Sequence, residues 1–200
     1  MPSRPLVLAS GSPARLGLLR AAGFAPEVVV SGVAEDDVDP SDTRGSVGRL
    51  ALAKATAVAR DGGDALVIGC DSMLEFDGRP YGKPISSAEA RNWLSAMRGR
   101  SGILWTGHCL IDETTGARVE EVVGTTVRFG VTTDAELDAY LAATDVLAVA
   151  GAFTLDGRSA PFVDGIDGDH GNVIGLSLPA LRRLLGRLGV AVTDLWGEAR

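Results

Sequence analysis

What most constrains this chain is the stretch from Val67 to Pro84, V-I-G-C-D-S-M-L-E-F-D-G-R-P-Y-G-K-P, because it sets charge where the chain otherwise buries apolar surface. The apolar run reads as a buried strand that delivers one carboxylate, Asp71. Asp77-Gly78 is a tight-turn signal with strand-forming residues on both sides. A short hairpin there can fold Lys83, wedged between Gly82 and Pro84, back toward Asp71, so that an acid and a base face one cleft. Taken alone, the pattern equally suits a strand-end aspartate capping a loop and a surface lysine, since loop charges are mostly solvated.

Two hundred residues, 46% of them hydrophobic and 22% charged, suit a single domain over 1–200 with a sizeable core, and domains of this size are often bilobed. The 26 glycines are spread along the chain rather than gathered in a tract, with only Gly62-Gly63 adjacent, which implies many tight turns. A net charge of −7 argues against duplex nucleic acid as a partner, because such binding relies on clustered lysine and arginine. It leaves room for a small phosphorylated ligand that arrives with a divalent metal. Cys70 and Cys109, with no C-x-x-C spacing, read as buried free thiols in a reducing compartment. The N-terminus runs straight into a strand pattern, and no apolar stretch has spanning length, so the expectation is a cytoplasmic protein without membrane contact.

Leu6 to Ala9 is a short strand candidate that feeds Ser10-Gly11-Ser12-Pro13-Ala14-Arg15. Ser12 suits a helix N-cap, Pro13 the first helical position and Gly23 a left-handed stop. A strand, a Ser/Gly turn and a helix N-terminus make an anion site that Arg15 can reach, though a plain capped helix with a surface arginine reads the same way. Val28 to Val30 is a second strand candidate, opening into a loop with Glu35, Asp36, Asp37 and Asp39. A carboxylate just past a strand end is a common magnesium ligand, although acidic loops are usually only solvated. A helix is expected from about Val47 to Arg60, and Lys54 lies within its apolar stripe. A lysine there either snorkels past the core edge or points into a ligand cleft.

Ser86 to Glu89 and Thr133 to Glu136 are capping-box patterns that open two further helices. Between them, Ile103 to Ile111 and Val119 to Val131 read as a long antiparallel hairpin at the middle of a mixed sheet. His108 and His170 are too few and too far apart for a metal cluster or triad, and read as packed or surface imidazoles. Ala148 to Gly168 is a glycine-punctuated region of turns and short strands, and a last helix runs from about Leu178 to Leu188.

In order and spacing these junction residues resemble the Maf family of nucleoside triphosphate pyrophosphatases over nearly the whole chain. Ser10 to Arg15 is similar to its S-x-S-P-x-R opening, Glu35 to its acidic residue after the second strand, and Lys54 to the lysine of its L-A-x-x-K-A helix. Asp71-Ser72 and Gly82-Lys83-Pro84 resemble its D-(T/S/Q) and G-K-P elements. Thr106-Gly107, Gly151-Ala152-Phe153 and Asn172 to Pro179 resemble later landmarks. The resemblance implies an elongated mixed α/β sheet with flanking helices, two lobes about a cleft, as in inosine triphosphatases. It implies hydrolysis of a nucleoside triphosphate to the monophosphate and pyrophosphate, a house-cleaning reaction on standard or modified nucleotides. Asp71 would be the proton acceptor, Glu35 and Asp71 would hold Mg²⁺ or Mn²⁺, and Ser10, Arg15, Lys54 and Lys83 would clamp phosphates. A homodimer is compatible with that reading.

Ala14, Ser72 and Asp156 stand at the family's base-reading positions, and Val149 where one branch carries a lysine, so no branch's selectivity carries over. An ionised Asp156 only accepts hydrogen bonds, which favours a guanine-type edge over thymine and predicts that Asp156→Gln shifts preference toward pyrimidines. Two other classes compete. A nucleotide-binding regulator of septum formation would keep the cationic clamp without needing Asp71. A haloacid-dehalogenase-type phosphatase needs a D-x-D pair, and Met73 stands in the second place.

Overall fold

The computed structural model describes residues 4–35 and 38–197. Strands β1 (Leu6–Leu8), β2 (Glu27–Val28), β3 (Leu66–Phe76), β4 (Arg79–Tyr81), β5 (Ser101–Asp112), β6 (Arg118–Phe129) and β7 (Val163–Asp167) form one open mixed sheet. Its order is β2-β1-β3-β5-β6-β7, with β4 folded beside β3. The β1 pairings are parallel and the rest antiparallel. The expected hairpin is present: Asp77 and Gly78 take φ of 51° and 69°, the pair of positive values that a tight two-residue turn requires. The long β5–β6 pair also lies where expected, and β5 is buried on both faces from Thr106 to Leu110.

Among the described residues six α-helices flank the sheet: α1 (Pro13–Ala21), α2 (Thr43–Val58), α3 (Ser87–Met97), α4 (Asp134–Ala143), α5 (His170–Ile174) and α6 (Leu178–Arg187). Ser12 caps α1 through the Arg15 amide, and Thr133 and Glu136 complete a reciprocal capping box on α4. On α3 the box is half formed, because Glu89 accepts the amide of Ile85 instead of Ser86. Two expectations are corrected. Helix α2 starts at Thr43 rather than Val47, because Asp42 accepts the Gly45 amide at 2.8 Å and the polar run supplies the cap and first turn. The second strand stops at Val28, with Val28 and Val30 44% and 69% exposed, because β2 is an edge and the chain leaves the sheet to line a cavity.

Helix α2 covers one face of β3 and β5. It lies close because Gly69 and Gly107 have no side chain: a Cβ there would meet the Ala51 carbonyl at 2.3 Å and the Val47 carbonyl at 2.2 Å. The other face carries two separate cores at opposite ends of β3. Leu66 and Ile68 pack with Leu19 of α1 and Leu181, Leu184 and Leu185 of α6. Leu74 and Phe76 pack with Met97 of α3 and Leu137 and Tyr140 of α4. These are the two lobes.

The gap between the lobes follows from pairing. One edge of β3 is occupied by β1 at Leu66 to Ile68 and by β4 at Leu74 to Phe76. Neither strand pairs with Cys70 to Met73, so side chains from both faces of β3 reach one opening there. Asp71 and Ser72 are adjacent and point to opposite faces, yet both line it.

Candidate active site

The opening is a cavity of about 870 Å³, the size of a small-molecule site. One wall carries the charge. Lys54 is 5% exposed, and its ammonium bonds Asp71 Oδ1 and Glu35 Oε1, each at 2.6 Å. Glu35 Oε2 accepts a third bond from Lys83 at 2.8 Å. Acid and base therefore alternate from the buried Asp71 out to the half-exposed Lys83. The apolar stripe of α2 does carry Lys54 into the cleft, where an uncompensated ammonium would be costly and two carboxylates receive it. Lys83 folds back as the hairpin requires, but its partner is Glu35 rather than Asp71. Asp36 and Asp37 lie outside the described residues.

Burial raises the pKa of Asp71, against the opposing charges of Lys54 and Arg15, so it is more basic than an ordinary aspartate. Glu35 goes the other way. Burial alone would raise it, but bonds and charge from Lys54 and Lys83 hold it down at about 2. Two carboxylates 36 residues apart in sequence thus have opposed acidities in one site.

Arg15 closes the same wall from the N-terminus of α1. The residue is 9% exposed, and its guanidinium has no carboxylate partner among the described residues. Nε donates to the Gly175 carbonyl at 2.8 Å, Nη1 to Ser10 Oγ at 3.1 Å and Nη2 to Ser72 Oγ at 3.0 Å. Gly175 sits at φ 130° with a would-be Cβ 3.1 Å from Arg15 Nε, so only glycine suits that approach. Gly11, Ser12 and Ala14 line the cavity beside it.

The opposite wall is built from Ala148 to Ala150, Phe153, Thr154 and Val173. Gly151 and Ala152 both have positive φ, 68° and 61°. The Gly151 amide bonds the Gly82 carbonyl at 2.9 Å and Tyr140 Oη donates to the Ala152 carbonyl at 2.9 Å, holding a conformation that is costly for alanine. Asp156 is exposed, is not among the cavity-lining residues, and accepts the Thr154 hydroxyl. Thr154, which sequence reasoning did not single out, faces the cavity in its place.

The chain matches the family described as Maf-like protein over residues 5–188. It belongs to the Maf-like protein family. A relative from Streptomyces coelicolor named nucleoside triphosphate pyrophosphatase is 59% identical over 200 residues, 99% of this chain and 97% of that protein. Relatives of the same name from Streptomyces avermitilis and Gloeothece citriformis are 56% and 45% identical, covering 98% and 96% of this chain and 96% and 98% of their own lengths. In this Maf-like chain both cysteines are buried free thiols, raised by burial to about 11 at Cys70 and about 12 at Cys109. His108 is buried and His170 exposed. No helix among the described residues is long and apolar enough to cross a membrane.

Proposed function

We propose that this chain is a nucleoside triphosphate pyrophosphatase, acting as one domain to hydrolyse a nucleoside triphosphate to the monophosphate and pyrophosphate. The observation that carries the reading is the charge layout: a buried basic carboxylate and two lysines on one wall of the cavity, beside an arginine with no carboxylate partner among the described residues. Arg15, Lys54, Lys83 and the amides after Ser10 neutralise the triphosphate, and Asp71 takes the proton of the attacking water. Hydrolysis of a phosphoanhydride needs positioning and charge neutralisation more than a nucleophilic side chain, so this set suffices.

The donor set fits a divalent cation. Asp71 and Glu35 direct carboxylate oxygens at a single cation position, now taken by the Lys54 ammonium, and Mg²⁺ is commonly held by one or two carboxylates with substrate phosphates. Mg²⁺ or Mn²⁺ would be held by these two residues and would supply charge neutralisation at the phosphates. Base contacts fall to Ala14, Ser72 and Thr154, with Asp156 acting only through the Thr154 hydroxyl. The compartment is the cytoplasm.

The test is a panel of standard and modified triphosphates with magnesium or manganese, with pyrophosphate and orthophosphate assayed separately. Pyrophosphate as the first product is expected. Turnover of no triphosphate at any pH would remove the reading, and nucleotide affinity without turnover would leave a binding regulator.

A further inference from the structure

Beneath Arg15 lies a chain of hydroxyls whose direction is fixed. Thr106 of β5 is fully buried, and its Oγ1 lies 2.9 Å from the Asn172 carbonyl and 3.0 Å from Ser72 Oγ. A carbonyl cannot donate, so the single Thr106 proton goes to Asn172. Thr106 must then accept from Ser72, which spends the single Ser72 proton. Ser72 in turn can only accept from Arg15 Nη2. The far end is anchored, since Asn172 Nδ2 donates to the Leu104 carbonyl and to Thr125 Oγ1, both at 3.1 Å.

We propose that Thr106 is a positioning residue: by taking the Ser72 proton it turns a lone pair of Ser72 toward Arg15 and aims the guanidinium into the cavity. Of the five N–H donors of Arg15, three are engaged by Ser10, Ser72 and Gly175, which leaves two for an anion. If Ser72 were free to rotate, its proton could face Arg15 and repel it. A second consequence follows for ligands. Ser72 lines the cavity with no proton left to give, so it offers a ligand an acceptor only, and selects an N–H or O–H at that place over a carbonyl or phosphate oxygen.

The proposal rests on reading Arg15 as a triphosphate clamp, so its test has a readout besides turnover. Thr106→Val keeps the shape and removes the relay, while Thr106→Ser keeps the relay. Inorganic tripolyphosphate binding by calorimetry and the kcat and KM of triphosphate hydrolysis are measured for both, alone and with Arg15→Ala. Thr106→Val is expected to weaken tripolyphosphate binding and raise KM by about 10–100-fold, as outer partners of ligand-holding groups typically do, with kcat changed less. Thr106→Ser should restore both, and Thr106→Val should add nothing once Arg15 is alanine. Equal losses in both backgrounds, or failure of Thr106→Ser to restore binding, would overturn the relay, since a packing defect does not depend on Arg15. A wild-type chain that binds tripolyphosphate but turns over no triphosphate removes the hydrolase reading alone. One that does not bind tripolyphosphate removes the relay's purpose.

Discussion

The two walls of the cleft are built by different physics. The wall of β1, α1, α2 and β3 carries Arg15, Lys54, Asp71 and Glu35, each fixed by two or more hydrogen bonds or by burial. The facing wall, from Ala148 to Thr154, is apolar apart from Thr154 and is held by backbone bonds from Tyr140, Gly151 and Ser159 and by the packing of Phe153 on Phe129. Preorganised charge stabilises a developing transition state without reorganisation at the moment of reaction, and an apolar wall recognises a ligand by shape. If the charged wall sets the rate and the apolar wall part of the selectivity, with Ala14 and Ser72 bringing base contacts to the charged side, substitutions on the two walls should act differently.

The strongest break is Asp71→Asn, which keeps shape and removes both the proposed base and one of the two carboxylates proposed to face a metal. Loss of a general base alone is worth about 10²–10⁴ in kcat, and the fold should persist because an amide can occupy the same place. An Asp71→Asn variant with near wild-type kcat would move proton acceptance elsewhere. Next, the two lysines compare burial within the charged wall. Lys54→Met should cost about 10²–10³ in kcat/KM, since its charge acts in a water-poor site, while Lys83→Met, half exposed at the rim, should cost nearer tenfold. Equal losses would show that depth in the cleft does not weight these charges.

The support of the charged wall has its own pH dependence. His108 Nε2 accepts the Ser177 amide at 2.9 Å and Nδ1 faces the Glu121 carbonyl at 3.3 Å, close to the Gly175 segment that holds Arg15. Burial first, with the Arg15 charge, lowers its pKa to about 4 from 6.5, against the opposing pull of Glu121 and Asp169. The unfolded chain therefore binds the extra proton between those values. The contribution, about 3 kcal/mol, is present above pH 6.5 and lost as pH falls toward 4. Urea midpoints at pH 7.5 and 4.5 should differ for the wild type, and His108→Gln should flatten that slope. A slope unchanged in the variant would assign it to other groups.

How far the sequence carries differs between the walls for the same reason. Asp71, Lys54 and Arg15 were legible because each breaks a local pattern: a charge at a strand end, a lysine in an apolar stripe, an arginine in a capped first turn. The hairpin, both long strands and the α4 cap were legible from turn chemistry and alternation. The start of α2 was hidden because its cap, Asp42, sits in a polar run that lacks apolar spacing. The length of β2 was hidden because three valines read as a strand whether or not a neighbour exists to pair with. Thr154 carries no local signal, and Thr106 stood out only as part of the Thr106-Gly107 landmark, with no role attached. Thr106 matters because register sets it opposite Ser72, and Thr154 because the chain turns there so that it lines the cavity while Asp156 stays in solvent.

The smallest effect sharpens the comparison most. Asp156 was expected to read the base, which makes Asp156→Gln a selectivity switch toward pyrimidines. In the fold its carboxylate is exposed and accepts the Thr154 hydroxyl, so it reaches the cavity only by fixing where that hydroxyl points. A glutamine amide oxygen can accept the same proton. Asp156→Gln should therefore change the ratio of kcat/KM for guanosine against thymidine triphosphate by less than about threefold, within the usual scale of a surface substitution. Thr154→Val removes the hydroxyl from the cavity surface itself and should change the ratio more, because a polar group that meets the wrong edge of a base is left unpaired. If Asp156→Gln shifts the ratio tenfold while Thr154→Val does not, then the loop turns on binding to bring the carboxylate inward, and the apolar wall is the moving part of the site.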